Sequence, residues 1–206
     1  MKKLNDYRDA FQAILDFEQQ VAKFTGAPYC VTTDCCSHAI EIAFRLRKDK
    51  SAVSFPARTY LSVLMTMHKV GVEYSLIDIA WRDYYEFTGS NIWDCARYFK
   101  QNMYVSGTVQ CVSFGRTKPL DLGRGGCILT DDKDLYDRAS RMRYDGRDIF
   151  TYLPWALQQD FEVGYHYYMK PEDCVNGINQ LNEKKFTEQV DKYYDYPDCR
   201  SIKIRE

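Results

Sequence analysis

The sequence has no charge excess of either sign. Its 28 Lys and Arg against 29 Asp and Glu leave a net charge of −1, which removes the electrostatic case for nucleic acid or an anionic membrane as partner. No apolar run approaches the roughly 18 residues needed to span a bilayer. Met1-Lys2-Lys3-Leu4-Asn5-Asp6 lacks the apolar core of a secretion signal, so a cytoplasmic protein is expected. There is no C-x-x-C pair among the eight cysteines. Cys35-Cys36-Ser37-His38 is the only Cys/His cluster and lacks the usual ligand spacing, so no metal is expected. Cys30, Cys95, Cys111 and Cys127 lie in apolar, β-like stretches, where a free thiol acts as a small buried hydrophobe. Internal repeats, low-complexity tracts and linkers are missing too. One domain over 1–206 is expected, with its core in 1–195 and a short tail over 196–206. Tyrosine is abundant, with 17 residues, and suits a polar, aromatic-walled pocket or interface.

Periodicity organises most of the chain. Tyr7, Phe11, Ile14, Leu15, Phe17, Val21 and Phe24 predict an amphipathic helix over 6–24, stopped by Gly26 and Pro28. Strands are expected over 29–33, 52–56 and 72–79, with helices over 38–47 and 61–70 between them. Ser37 is the expected cap of the first of these helices. This βαβαβ rhythm implies an α/β fold with a mostly parallel sheet covered by helices. Residues 80–91 are aromatic and polar without a period. Further strands are expected over 91–94, 109–114 and 127–130, and helices over 132–144 and 171–194. The stretch 148–165, broken by Pro154 and Gly164, is expected to wander.

In an open α/β sheet, ligands bind at the carboxyl ends of strands, and several reactive residues fall there. Ser37 opens a helix, whose unpaired amides favour an anion such as phosphate. Tyr60 follows a strand and can stack on a flat ring. Asp94 ends a strand, as does Ser113, and Lys118 follows in an irregular loop before the glycine-rich Gly123-Arg124-Gly125-Gly126. Each has a plain alternative: Lys118 as a solvated cation, Asp94 and Ser37 as helix caps, Tyr60 as rim. An anion site, an aromatic lid, a buried carboxylate and an amine together describe a pocket for pyridoxal 5′-phosphate.

At these residues the chain resembles the DegT/DnrJ/EryC1/StrS aminotransferases, fold-type-I enzymes known mainly for aminating keto-sugars on nucleotide carriers. Ser113-Phe114-Gly115-Arg116-Thr117-Lys118-Pro119-Leu120 with its glycine cluster is similar to the family's Schiff-base lysine motif. Phe17-Glu18-Gln19-Gln20-Val21-Ala22-Lys23-Phe24-Thr25-Gly26 is similar to its N-terminal helix. The resemblance implies that Lys118 forms an internal aldimine and that Asp94, in Asp94-Cys95-Ala96-Arg97, pairs with the pyridine nitrogen. It implies cofactor contacts from Cys36, Ser37, Tyr60, Arg97 and Ser113. His166, in Gly164-Tyr165-His166-Tyr167-Tyr168-Met169, would reach the phosphate of a partner subunit in a homodimer. The expected reaction moves an amino group from glutamate or glutamine to a keto-sugar-type acceptor.

The chain departs from the family in places. The Ser-Gly-Thr turn appears as Cys35-Cys36-Ser37, Arg97 replaces a neutral Gln or His, and Arg124 replaces a Glu. About one strand–helix unit, roughly 30 residues, is missing between Ile79 and Asn91, and most of the smaller C-terminal domain has no counterpart. The tyrosine-rich stretches around Tyr84-Tyr85 and 165–168 are expected to replace part of what is missing. A reduced homologue that only binds the cofactor or a partner is the alternative reading.

Overall fold

The structure, a computed structural model, describes residues 7–151, 153–183 and 196–205. Helix α1 (Tyr7–Thr25) leads into β1 (Tyr29–Thr33), α2 (Cys36–Leu46), β2 (Val53–Pro56), α3 (Leu61–Val70) and β3 (Tyr74–Ile77). Then follow β4 (Tyr85–Glu86), β5 (Ile92–Cys95), β6 (Val109–Ser113), β7 (Gly126–Thr130), α4 (Lys133–Met142) and α5 (Pro171–Asn182). The helix expected over 171–194 is thus described to Asn182, and its apolar positions Phe186 and Val190 lie outside the described residues. Among the described residues, no helix is long and apolar enough to cross a membrane.

The main sheet runs β1-β7-β6-β5-β4, and β2 pairs with β3 in a second, two-stranded sheet. The two meet through an antiparallel bridge between Ser54 and Thr88. Helices cover the sheet as an α/β fold requires, but the strand directions correct the expectation of a mostly parallel sheet. Only β5–β6 is parallel in the main sheet; β1–β7, β7–β6 and β5–β4 are antiparallel. The βαβ rhythm holds for β2–α3–β3, whose strands are parallel. It fails at β4–β5 because five residues join Glu86 to Ile92, whereas a parallel crossover needs a dozen or more. It fails at β7 because the link from β6 contains no helix.

Both faces of the central strands are buried. Along β6 and β7, alternate residues serve opposite layers. Cys111 and Ile128 face the core built on α2 and α3, while Val112, Cys127 and Leu129 face the core built on α1 and α5. Seven of the eight cysteines are buried and all eight are free. Helix α1 presents Phe11, Ile14, Phe17 and Val21 inward. Gly177 lets α5 close on it, since a Cβ there would lie 2.4 Å from the Phe17 ring.

One buried ion pair ties these layers together. Arg143, beyond the end of α4, pairs with Glu18 of α1 with both side chains almost fully enclosed. Arg143 Nη1 also donates to Thr32 O and Oγ1, each at 2.9 Å. Glu18 Oε1 accepts from the Thr32 amide at 2.6 Å and from its hydroxyl at 2.8 Å. None of the fully enclosed side-chain polar atoms of this group lacks a partner, which is what burying a charge requires.

Candidate active site

The C-terminal ends of β5 and β6, the loop after β6, the first turn of α2 and the start of α3 enclose a cleft of about 570 Å³. Its lining includes Cys36, Ser37, Tyr60, Asp94, Arg97, Ser113 and Lys118. Seven of the eight positions singled out in the sequence therefore meet in one cavity. His166 does not. It is exposed and bridges Tyr144 beyond the end of α4, with Nδ1 3.1 Å from Asp145 Oδ2.

Asp94 is the best-defined member. The sheet register puts it directly opposite Tyr85 on β4 and beside Cys111 on β6. Its Oδ1 accepts from the Ala96 amide at 2.9 Å and its Oδ2 accepts from the Tyr85 hydroxyl at 2.8 Å. Burial pushes the Asp94 carboxyl up; the two hydrogen bonds and the nearby Lys118 ammonium oppose this without cancelling it. Burial and then the Asp94 charge likewise push the Cys36 thiol well up. The cleft therefore holds a desolvated carboxylate that a further cation would stabilise.

Lys118 sits in a loop held by its own backbone. Its amide donates to Gly115 O at 3.2 Å, and Asp121 accepts from the amides of Thr117 and Gly123 at 3.2 and 2.8 Å. Thr117 has a φ of +66°, a left-handed conformation rare for a β-branched residue. Such strain persists only where surrounding contacts enforce it. Ser113 is buried, and its Oγ accepts from the Gly115 amide at 3.3 Å.

The opposite lip is the start of α2. The helix begins at Cys36 with Cys35 as N-cap, which makes no side-chain capping bond. This corrects the expectation that Ser37 caps it. Ser37 lies inside the first turn and donates to Ser62 Oγ at 2.6 Å. Gly126 makes this approach possible, because a Cβ there would sit 2.5 Å from the Cys36 amide nitrogen. Asp34, just before the turn, pairs with His38 at 2.5 Å and with Arg124 of the glycine loop at 2.7 Å. Burial works against charge on His38, but its bonds to Asp34 and Cys35 raise it to about 9. Asp34, Cys35 and His38 bring ligand-type atoms within 4.8 Å of one another, and this ion-pair network accounts for their arrangement.

Several residues of the site escaped the sequence reading. Trp81 and Tyr196 line the cleft with their rings stacked at 6.0 Å, and Tyr196 lies 6.3 Å from Tyr60. Tyr60 is 61% exposed and stands at the mouth. Arg97 Nε donates to Tyr196 Oη at 3.0 Å. Tyr196 belongs to a segment anchored by Cys199, which is buried and whose amide donates to Ala57 O at 2.9 Å. The tyrosine-rich stretches divide. Tyr85 backs the cleft, whereas Tyr165 and Tyr167 stack on each other and Tyr167 stacks on His38, beside α2.

A model of the DegT/DnrJ/EryC1/StrS aminotransferase family matches residues 5–88 and 95–194. The chain belongs to that family. The break in the match, 89–94, holds the β4–β5 turn and Asp94, so the reading of Asp94 rests on its surroundings. A curated relative from Campylobacter jejuni, UDP-4-amino-4,6-dideoxy-N-acetyl-beta-L-altrosamine transaminase, is 28% identical over 122 residues, 54% of this chain and 31% of that protein. Among solved structures, AtS13 from Actinomadura melliaura has a TM-score of 0.68 at 16% identity, covering 83% of this chain and 60% of that one. The sugar aminotransferase CalS13 from Micromonospora echinospora has a TM-score of 0.65 at 18% identity, covering 83% and 61%. At such identities these structures show a shared fold. This chain spans about three fifths of their length and under a third of the curated relative.

Proposed function

We propose that the cleft binds pyridoxal 5′-phosphate and that the chain carries the cofactor-binding half of an aminotransferase acting on a keto-sugar-type acceptor. The observation that carries this reading is a desolvated carboxylate and a lysine held together in one cleft, beside a helix start. The donor set fits the cofactor. The first turn of α2, with Cys36 and Ser37, and Ser113 would hold the phosphate; Asp94 would hold the pyridine nitrogen; Tyr60 would cover the ring; and Arg97 would face the phenolic oxygen. When bound, the cofactor supplies an electron sink for the carbanion left at the donor's α-carbon.

The chain's own residues would do the rest. Lys118 Nζ would be the amine that holds the cofactor through its aldehyde carbon, with loss of water. Nζ, once freed by an amino donor such as glutamate or glutamine, would be the base that takes the proton from the donor's α-carbon and the acid that returns it. Asp94 would keep the pyridine nitrogen protonated, and Arg97 would favour the ionised phenolic oxygen. His166 is exposed and takes no part in lining its own cleft, which suits a contact with the cofactor phosphate of a second subunit.

Incubating the purified protein with the cofactor tests the proposal. A yellow absorbance that shifts on adding glutamate and is lost in Lys118→Ala is expected. Colour unaffected by amino donors would instead mark a cofactor-binding protein without transfer activity, and failure to take up the cofactor at all would overturn the reading.

A further inference from the structure

Resting on that reading, we infer that Tyr85 is a positioning residue for Asp94, fixing the carboxylate's charge and orientation for a cationic ring nitrogen. Tyr85 is buried behind the cleft wall and is not part of its lining. Its hydroxyl lies 2.8 Å from Asp94 Oδ2 and 2.8 Å from Thr59 Oγ1. A carboxylate can only accept, so the Tyr85 proton goes to Asp94 and Thr59 donates to the tyrosine oxygen. The result is a one-way chain from Thr59 through Tyr85 to Asp94. With Ala96 on the other oxygen, it fixes both edges of the carboxylate.

The donor cannot lapse. Burial, and then the adjacent Asp94 charge, push the Tyr85 hydroxyl well above its ordinary value, so it keeps its proton throughout the physiological range. The ring is also fixed. Trp81 meets it edge-on at 5.0 Å and Phe87 at 5.5 Å. Burial alone would favour a neutral Asp94, which has no charge to offer a pyridinium. A permanent donor on Oδ2 lowers the carboxyl's affinity for a proton and so works toward the ionised form. Tyr85 comes from β4, within the part of the chain that the family model matches, whereas Asp94 falls in the break of that match.

Tyr85→Phe removes one oxygen and keeps the packing. In the cofactor-free protein, the Asp94 carboxyl followed by carbon-13 NMR should titrate about one pH unit higher than in wild type. Cofactor binding, followed by quenching of tryptophan fluorescence, should weaken about tenfold near pH 7, with its acid limb moved upward by the same interval. A tyrosine that only packs would leave both titrations in place. Thr59→Val, which spares the tyrosine ring, should move Asp94 in the same direction by less and serves if Tyr85→Phe does not fold. Wild-type and Tyr85→Phe curves that coincide, with the cofactor bound by both, would overturn this inference alone. No cofactor binding by wild type would overturn the proposed function, and the role of Tyr85 toward a ring nitrogen with it.

Discussion

Replacing Glu18 by Gln should unfold this protein far more readily than its position, remote from the cleft, suggests. The change keeps shape and removes one charge, which leaves the Arg143 guanidinium enclosed without its counter-ion. Breaking a buried pair from one side costs about 3–5 kcal/mol, a large part of the 5–15 kcal/mol that holds a typical domain together. With a urea m-value of about 2.5 kcal/mol/M, the midpoint should fall by roughly 1.2–2 M. Arg143→Met should cost a similar amount. The double variant Glu18→Gln/Arg143→Met removes both charges and keeps an acceptor for the Thr32 amide, which donates to Glu18, so it should cost only about 1–3 kcal/mol. The two changes are therefore expected to be strongly non-additive, by at least about 3 kcal/mol. Urea unfolding of the four proteins measures this. Single variants within about 1 kcal/mol of wild type, or a double equal to their sum, would refute the view that the pair is held by mutual charge compensation.

Three other outcomes follow from the same geometry. His38 is raised from its ordinary 6.5 to about 9, so its pairing with Asp34 stabilises the fold fully below about pH 6.5 and is lost as pH rises through 9. After discounting for its partial exposure this amounts to roughly 1 kcal/mol; His38→Gln should therefore melt lower than wild type at pH 6 and equally at pH 10, and a gap that widens with pH would contradict the assignment. Gly126→Ala should destabilise by about 1–3 kcal/mol and weaken cofactor uptake, because the added carbon meets the backbone of the first turn of α2; an unchanged melting temperature would show that this approach is slack. Thr117→Gly should relieve left-handed strain, raising the urea midpoint by the equivalent of up to about 1 kcal/mol, and a loss of stability would show that the Thr117 side chain contributes more than its backbone costs.

Much of the site was legible because strand ends and glycines leave a local signature. Asp94, Ser113 and Lys118 could be placed by their position after apolar runs, and the close approach of Gly126 to Cys36 explains the glycine cluster that drew attention to the loop. The helix cap was misplaced by two residues, since Cys35 occupies the extended cap position without any capping bond and so lacks the usual Ser or Asp marker. The strand directions were misread because a βαβ rhythm true of β2–α3–β3 was extended to links too short, or too irregular, to cross over. Tyr85, Trp81 and Tyr196 belong to no periodic pattern, and only tertiary packing brings them to the cleft. The Glu18–Arg143 pair spans 125 positions, and nothing in either residue's neighbourhood names the other.

The hairpin that carries Tyr85 has a thermodynamic side as well. Tyr85 and Asp94 are nine positions apart, and a crossover longer by roughly 30 residues would raise the entropy lost in joining them by about 1.3 kcal/mol. The short loop thus brings the carboxylate and its donor together at little cost in chain entropy, and the neighbouring elements then lock the pair in place.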